Sequence, residues 1–136
     1  MPGVDSSLLA REHRALDELF GRFLGAAAAA DMEAARDAIA AFDDALSRHT
    51  AFEEEHVLHA PTGHKLAPGD AEDDAARLHR ELRLEHVQVR ELAAMMRRVL
   101  EEKGDLEAAR RLAPNLARRW DAHTAREEKE LFPTLA

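Results

Sequence analysis

Apolar side chains recur along this chain every three or four positions, in four stretches separated by polar punctuation, a spacing that predicts amphipathic helices. In the first stretch Leu9, His13, Leu16, Phe20 and Phe23 share a stripe, while Arg11, Glu12, Arg14 and Arg22 occupy the polar side. Asp5 or Ser6 suits its N-cap, and it is predicted to end near Ala29. A second helix starts from Asp31, aligns Phe42, Ala45, Leu46, His49, Glu53, His56 and Val57, and stops at about Leu58, ahead of Pro61. The Pro- and Gly-bearing segment 59–70 reads as a loop. A third helix is predicted from near Asp70 or Glu72 to about Lys103, with Leu82, His86, Val89, Ala93, Met96 and Leu100 on its stripe. Gly104 suits a left-handed stop, and Asp105 caps a fourth helix. Leu116, Trp120, His123, Glu127 and Leu131 line that helix until Phe132-Pro133, and Pro114 should bend its early turns.

The chain also repeats itself. DMEAAR at 31–36 returns as DLEAAR at 105–110, and HTAFEE at 49–54 returns at the same interval as HTAREE at 123–128. EHRALDEL at 12–19 likewise aligns with EHVQVREL at 85–92, at an interval one position shorter. A helical hairpin is therefore written twice. The fold this predicts is all-α, an up-down-up-down antiparallel four-helix bundle with an approximate two-fold axis, formed as one domain over residues 1–136.

Composition narrows the chemistry. The net charge is −8 and the basic residues are interspersed with acidic ones, so no footprint for nucleic acid is visible. No apolar run approaches the ~18 residues of a membrane span, and the first residues lack the pattern of an export signal. The expectation is a cytoplasmic protein, monomer or homodimer, with neither nucleic acid nor membrane as partner. There is no Cys, which excludes disulfides, thiolate-bound metals and thiol nucleophiles. Any metal must be held by His and carboxylate.

The eight His carry the functional argument. One His on an apolar stripe is ordinarily a hydrogen-bonded core residue. Here His49 and Glu53, and again His123 and Glu127, stand one turn apart on one face, and the duplication sets His13 opposite His86. Four His and two Glu then point inward at one level of the bundle. Two buried carboxylates need positive charge between them, yet the stripes offer no Lys or Arg, whereas two divalent cations satisfy the Glu pair and the neutral imidazoles together.

Glu54 and Glu128 follow about 140° around the helix from the His and read as solvated. His59 and His64 fall in or near the loop, and a second site built from them with His56 matches no specific spacing. Trp120 is expected to pack beside the cluster as core, and Met95 and Met96 as filler.

His on the first helix, His-x3-Glu on the second, His on the third, and His-x3-Glu-Glu followed by Leu131-Phe132-Pro133 on the fourth resemble the hemerythrin HHE cation-binding family. The resemblance covers essentially the whole chain. It implies two non-haem iron ions with a bridging oxo or hydroxo group, also bridged by Glu53 and Glu127. His13 and His49 would serve one iron, His86 and His123 the other. It further implies O₂, peroxide or NO as the small partner, in oxygen, redox or NO response or in iron handling.

The oxygen-carrier form of that family has a second His one turn away on the third helix. Leu82 and Arg90 stand there instead. His56, its repeat mate Glu130, and His79 are the candidates for an additional ligand or a supporting role. A vacant place favours a reactive centre over a stable carrier. The alternative is a ferritin-like or peroxide-decomposing di-iron enzyme. Ferritin-type sites use Glu-x2-His on two helices, whereas only Glu53 and His56 fit that pattern, and the absence of Tyr excludes a tyrosyl radical.

Overall fold

The computed structural model describes residues 4–59 and 73–135. His64 and the rest of the predicted loop beyond His59, with the expected helix starts Asp70 and Glu72, lie outside the described residues. Four helices carry the fold: α1 (Ser6–Ala28), α2 (Met32–His56), α3 (Asp74–Lys103) and α4 (Leu106–Arg126). Among the described residues there is no strand.

Each helix begins on an aspartate whose carboxylate accepts from first-turn N–H groups that have no partner within the helix. Asp5 takes Ser7, Asp31 takes Ala34, Asp73 takes Ala75 and Ala76, and Asp105 takes Ala108. The third helix therefore starts at Asp74, slightly later than the Asp70 or Glu72 expected, because Asp73 is the side chain that reaches its first turn. α4 passes Pro114 unbroken.

Helices α1 and α2, α2 and α3, α3 and α4, and finally α4 and α1 are in contact, which closes a four-helix bundle in chain order. The turns between paired helices are short, and both use a left-handed residue. Gly104 has φ 58°, and Ala30, its mate in the repeat, has φ 55°.

Both α2 and α4 loosen just past their inward glutamate. Leu58 N–H donates to the Glu53 carbonyl at 2.7 Å, one residue wider than an α-turn. Glu127–Leu131 forms the corresponding widened π-helical turn, in which Phe132 N–H reaches the Glu127 carbonyl, and a 3-10 turn Phe132–Thr134 follows. Regular helix thus ends at His56 and Arg126 rather than at Leu58 and Phe132, because the wider turns swing Leu58 and Phe132 into the core.

The apolar interior is divided. One cluster contains Leu16, Phe20, Phe23, Phe42, Leu46, Val89, Met96, Leu100, Leu116 and Trp120. The other, toward the opposite end, contains Leu9, Val57, Leu58, Leu82, Leu131 and Phe132. On every helix the chain passes from one cluster to the other through inward polar residues: His13 between Leu9 and Leu16, His49 and Glu53 between Leu46 and Val57, His86 between Leu82 and Val89, His123 and Glu127 between Trp120 and Leu131. The fold places a polar layer across a dry bundle.

Candidate metal centre

All six of these inward residues are buried, and Glu53, His86 and Glu127 are 0% exposed. The structure draws them into two groups of potential ligand atoms. His13, His49, Glu53 and Glu127 make one, and Glu53, His86, His123 and Glu127 the other, with the atoms of each group within 4.8 Å of one another. Both glutamates belong to both groups. The duplicated hairpin produces this sharing: each half contributes its own two His, and the Glu one turn below each His-x3-Glu start reaches the midline.

Within the cluster His13 Nε2 donates to Glu127 Oε1 at 2.9 Å and His86 Nε2 to Glu127 Oε2 at 3.4 Å, but the contacts around Glu53 are close without being aimed for hydrogen bonding. Glu53 Oε1 lies 3.3 Å from His49 Nε2 and 3.0 Å from His86 Nε2. Both Glu53 oxygens, His49 Nε2 and His123 Nε2 are nevertheless buried without a hydrogen-bond partner. A buried, unpaired polar atom costs on the order of 1–3 kcal/mol, more when charged, so a group of them signals a partner of another kind. Lone pairs facing a common centre are what a cation requires. The donor set of imidazole and carboxylate suits a divalent transition metal.

The outward ring nitrogens are held from neighbouring helices. His49 Nδ1 donates to Glu12 at 2.6 Å and His123 Nδ1 to Glu85 at 2.7 Å, a pair of contacts related by the repeat. His86 Nδ1 donates to Glu54 at 3.0 Å. Each fixes its ring with Nε2 turned inward, the arrangement that orients and strengthens a metal-ligating imidazole. Glu54 is therefore not merely solvated, as expected from its own helix, because His86 on α3 reaches across to it. Glu128, its mate, is exposed, and His13 Nδ1 is buried without a partner.

Protonation follows from this geometry. Burial pushes the His86 imidazolium down, but the Glu127 and Glu53 carboxylates against its Nε2 outweigh that and raise its pKa to about 10. His49 and His123 are raised through the same competition, burial opposing the nearby Glu53 and Glu12 for one and Glu127 and Glu85 for the other. For Glu127, burial acts upward, yet His123, His13 and His86 hold its carboxyl well below the usual range. Protons on the imidazoles supply positive charge to the carboxylates, and a cation must displace them to bind.

Aromatic rings wall the cluster on the α1 and α4 side. Phe132 stacks on His13 with centroids 5.4 Å apart, and Trp120 stands 5.5 Å from His13 and 5.9 Å from His123. Trp120 also donates its indole N–H to Asp17 at 2.7 Å. Of the additional candidates, neither His56 nor Glu130 nor His79 joins either group. His56 is exposed beside Phe52 and Glu55, Glu130 pairs with Arg126, and His79 lies half-buried on α3, where burial and then the charge of His59 lower its pKa. Sequence reasoning missed Glu12 and Glu85, although both stand in the repeated Glu-His pair of the aligned segments.

A helical bundle crossed by a buried His and carboxylate layer of this kind defines a cation-binding domain. The chain matches the hemerythrin HHE cation binding domain over residues 4–135, nearly its whole length, and it belongs to that family. No match was found among curated proteins or among solved structures. None of the described helices is long and apolar enough to cross a membrane.

Proposed function

We propose that this domain holds two non-haem irons and uses them to bind or react with O₂, peroxide or NO. The observation that carries the reading is that two four-residue ligand groups share both of their carboxylates. His13 and His49 would hold one iron and His86 and His123 the other, with Glu53 and Glu127 common to both. A pair of irons so held supplies binding and electron transfer to small oxidants at coordination positions the protein leaves free. Glu53 and Glu127 balance the charge, and Glu12, Glu85 and Glu54 keep three imidazoles aimed. Leu9, Leu82, Leu131 and Phe132 close one end against water.

Reaction is favoured over stable carriage. Of the two places one turn from His86 where a carrier could have its further His, Leu82 is fully buried among apolar neighbours and Arg90 is exposed, and His56 and Glu130 face solvent. Among the described residues, neither ligand group includes a fifth residue to saturate one metal. The test is to load the protein with ferrous iron without air, mix it rapidly with O₂, H₂O₂ or NO, and follow visible absorption. Fast conversion by O₂ to a stable oxidised spectrum, with consumption of added H₂O₂, is expected. An oxygenated spectrum that lasts for hours and reverses when O₂ is removed would contradict reaction and indicate carriage.

A further inference from the structure

The repeat makes the two halves directly comparable, and they are not equal. Around His123, Arg126 donates to Glu85 at 2.8 Å, ion-pairs with Glu81, and donates to Glu130 at 2.9 Å, so the carboxylate that aims His123 is itself clamped. In the first half the aligned residues are Phe52 for Arg126, Leu8 for Glu81 and His56 for Glu130. Glu12 aims His49, and among the described residues no arginine ion-pairs with it, although Arg48 borders the same groove.

The first-helix imidazoles differ in the same sense. His86 Nδ1 is held by Glu54, whereas His13 Nδ1 is buried with no partner. Access differs too. A groove of about 380 Å³ between α1 and α2, bordered by Glu12, Arg48 and Phe52, reaches His49. Its repeat mate at His123 is about 250 Å³, with Arg119 donating to Gln88 across it and Arg126 on Glu85.

From these differences, of which the clamp and the narrower groove share Arg126 and the His13/His86 contrast stands apart, we infer that the two cation positions are held unequally: the His86/His123 position is fastened and fills first, and the His13/His49 position is labile and empties first. The inference rests on the two-metal reading above. Partners of ligating imidazoles typically change metal affinity by about 10–100-fold, so two held imidazoles on one side against one held and one unheld on the other, His49 on Glu12 and His13 without an Nδ1 partner, are enough to separate the two positions. Arg126 acts here as a positioning residue, through Glu85.

Co²⁺ is a suitable probe, added to the metal-free full chain and followed by its visible absorption, with cobalt retained after a chelator challenge counted by elemental analysis. The wild-type chain should show two classes of site at least about tenfold apart, with one Co²⁺ retained after brief challenge. Repulsion between two cations also produces two steps, so the order is read from variants. His123→Ala should remove the tighter class, and His49→Ala should remove the weaker and spare the tighter. Arg126→Gln should weaken the tighter class by about tenfold or more, and Phe52→Arg, which places an arginine beside Glu12, should strengthen the weaker one. A gain from Phe52→Arg is not something a merely structural contact produces, and circular dichroism of each metal-free variant confirms its fold. Indistinguishable affinities, or loss of the weaker class in His123→Ala, would overturn the inference while leaving two metals in place. A chain that takes up no Co²⁺ or iron would overturn the two-metal reading itself.

Discussion

Glu53 and Glu54 are adjacent in the chain and face different tasks. Glu53 is 0% exposed and has His49 and His86 imidazoles against one oxygen, while Glu54 sits at the margin and takes a hydrogen bond from the far side of His86. Replacing Glu53 or Glu127 with Ala should strip a carboxylate from both cation positions, and elemental analysis should find most of both metals gone. Glu54→Ala should weaken the His86 position by about 10–100-fold, and Glu128→Ala should change little. Similar loss from Glu128→Ala and Glu53→Ala would show that the inward face has been misassigned. Trp120→Phe removes the hydrogen bond to Asp17 and some packing, and should cost about 1–2 kcal/mol in urea unfolding. The six inward residues were legible because their spacing and repetition both pointed one way. Glu12, Glu85 and Glu54 were not, because each lies off the apolar stripe of its own helix and acts on a His of another. Periodicity describes one helix at a time.

At the scale of the element, the two interhelical turns show what a left-handed backbone at matching positions of the repeat does with different residues. Gly104 accepts φ 58° without strain, and Asp105 N–H closes onto the Val99 carbonyl at 3.0 Å. Ala30 adopts φ 55° at the matching position, with Asp31 N–H on the Ala26 carbonyl at 2.9 Å. A Cβ at left-handed φ costs roughly 1–2 kcal/mol, partly offset by the greater freedom of Gly in the unfolded chain. Ala30→Gly should therefore stabilise the protein by about 0.5–1 kcal/mol in urea unfolding, and Gly104→Ala should destabilise it by a similar amount. A Cβ at Gly104 would meet only Arg36 Nη2 at an ordinary 3.5 Å, so backbone conformation, not crowding, sets the effect. The Gly104 stop was visible in the sequence, since Gly after an apolar stripe is a common terminator. The Ala30 turn and the widened turns after Glu53 and Glu127 were not, because nothing in residue type marks a backbone that packing imposes.

Over the whole molecule, the duplicated hairpin explains both the bundle and the symmetry of the cluster, and its later divergence explains the inequality between the halves. Four helices in order, the aspartate caps Asp5, Asp31 and Asp105, and the apolar stripes were readable from period and punctuation, whereas Asp73, in a run of acidic residues that each could cap, was not. What the pattern could not show was the partition of the core into two apolar clusters with the polar layer between them, which depends on how four stripes meet. That layer couples metal to stability. A cation bound only by the folded chain at 100 times its dissociation constant adds about 2.7 kcal/mol per site, so ferrous iron should raise the unfolding midpoint and a chelator should lower it. An unfolding midpoint indifferent to both would count against a cluster built to be completed by cations.

The most direct test is crystallographic: diffraction from iron-loaded crystals, collected on either side of the iron absorption edge. The account predicts two anomalous peaks per chain within the bundle, one among His13, His49, Glu53 and Glu127, the other among His86, His123, Glu53 and Glu127. A single peak, a peak only at exposed histidines such as His56, or no peak between the two glutamates would contradict it.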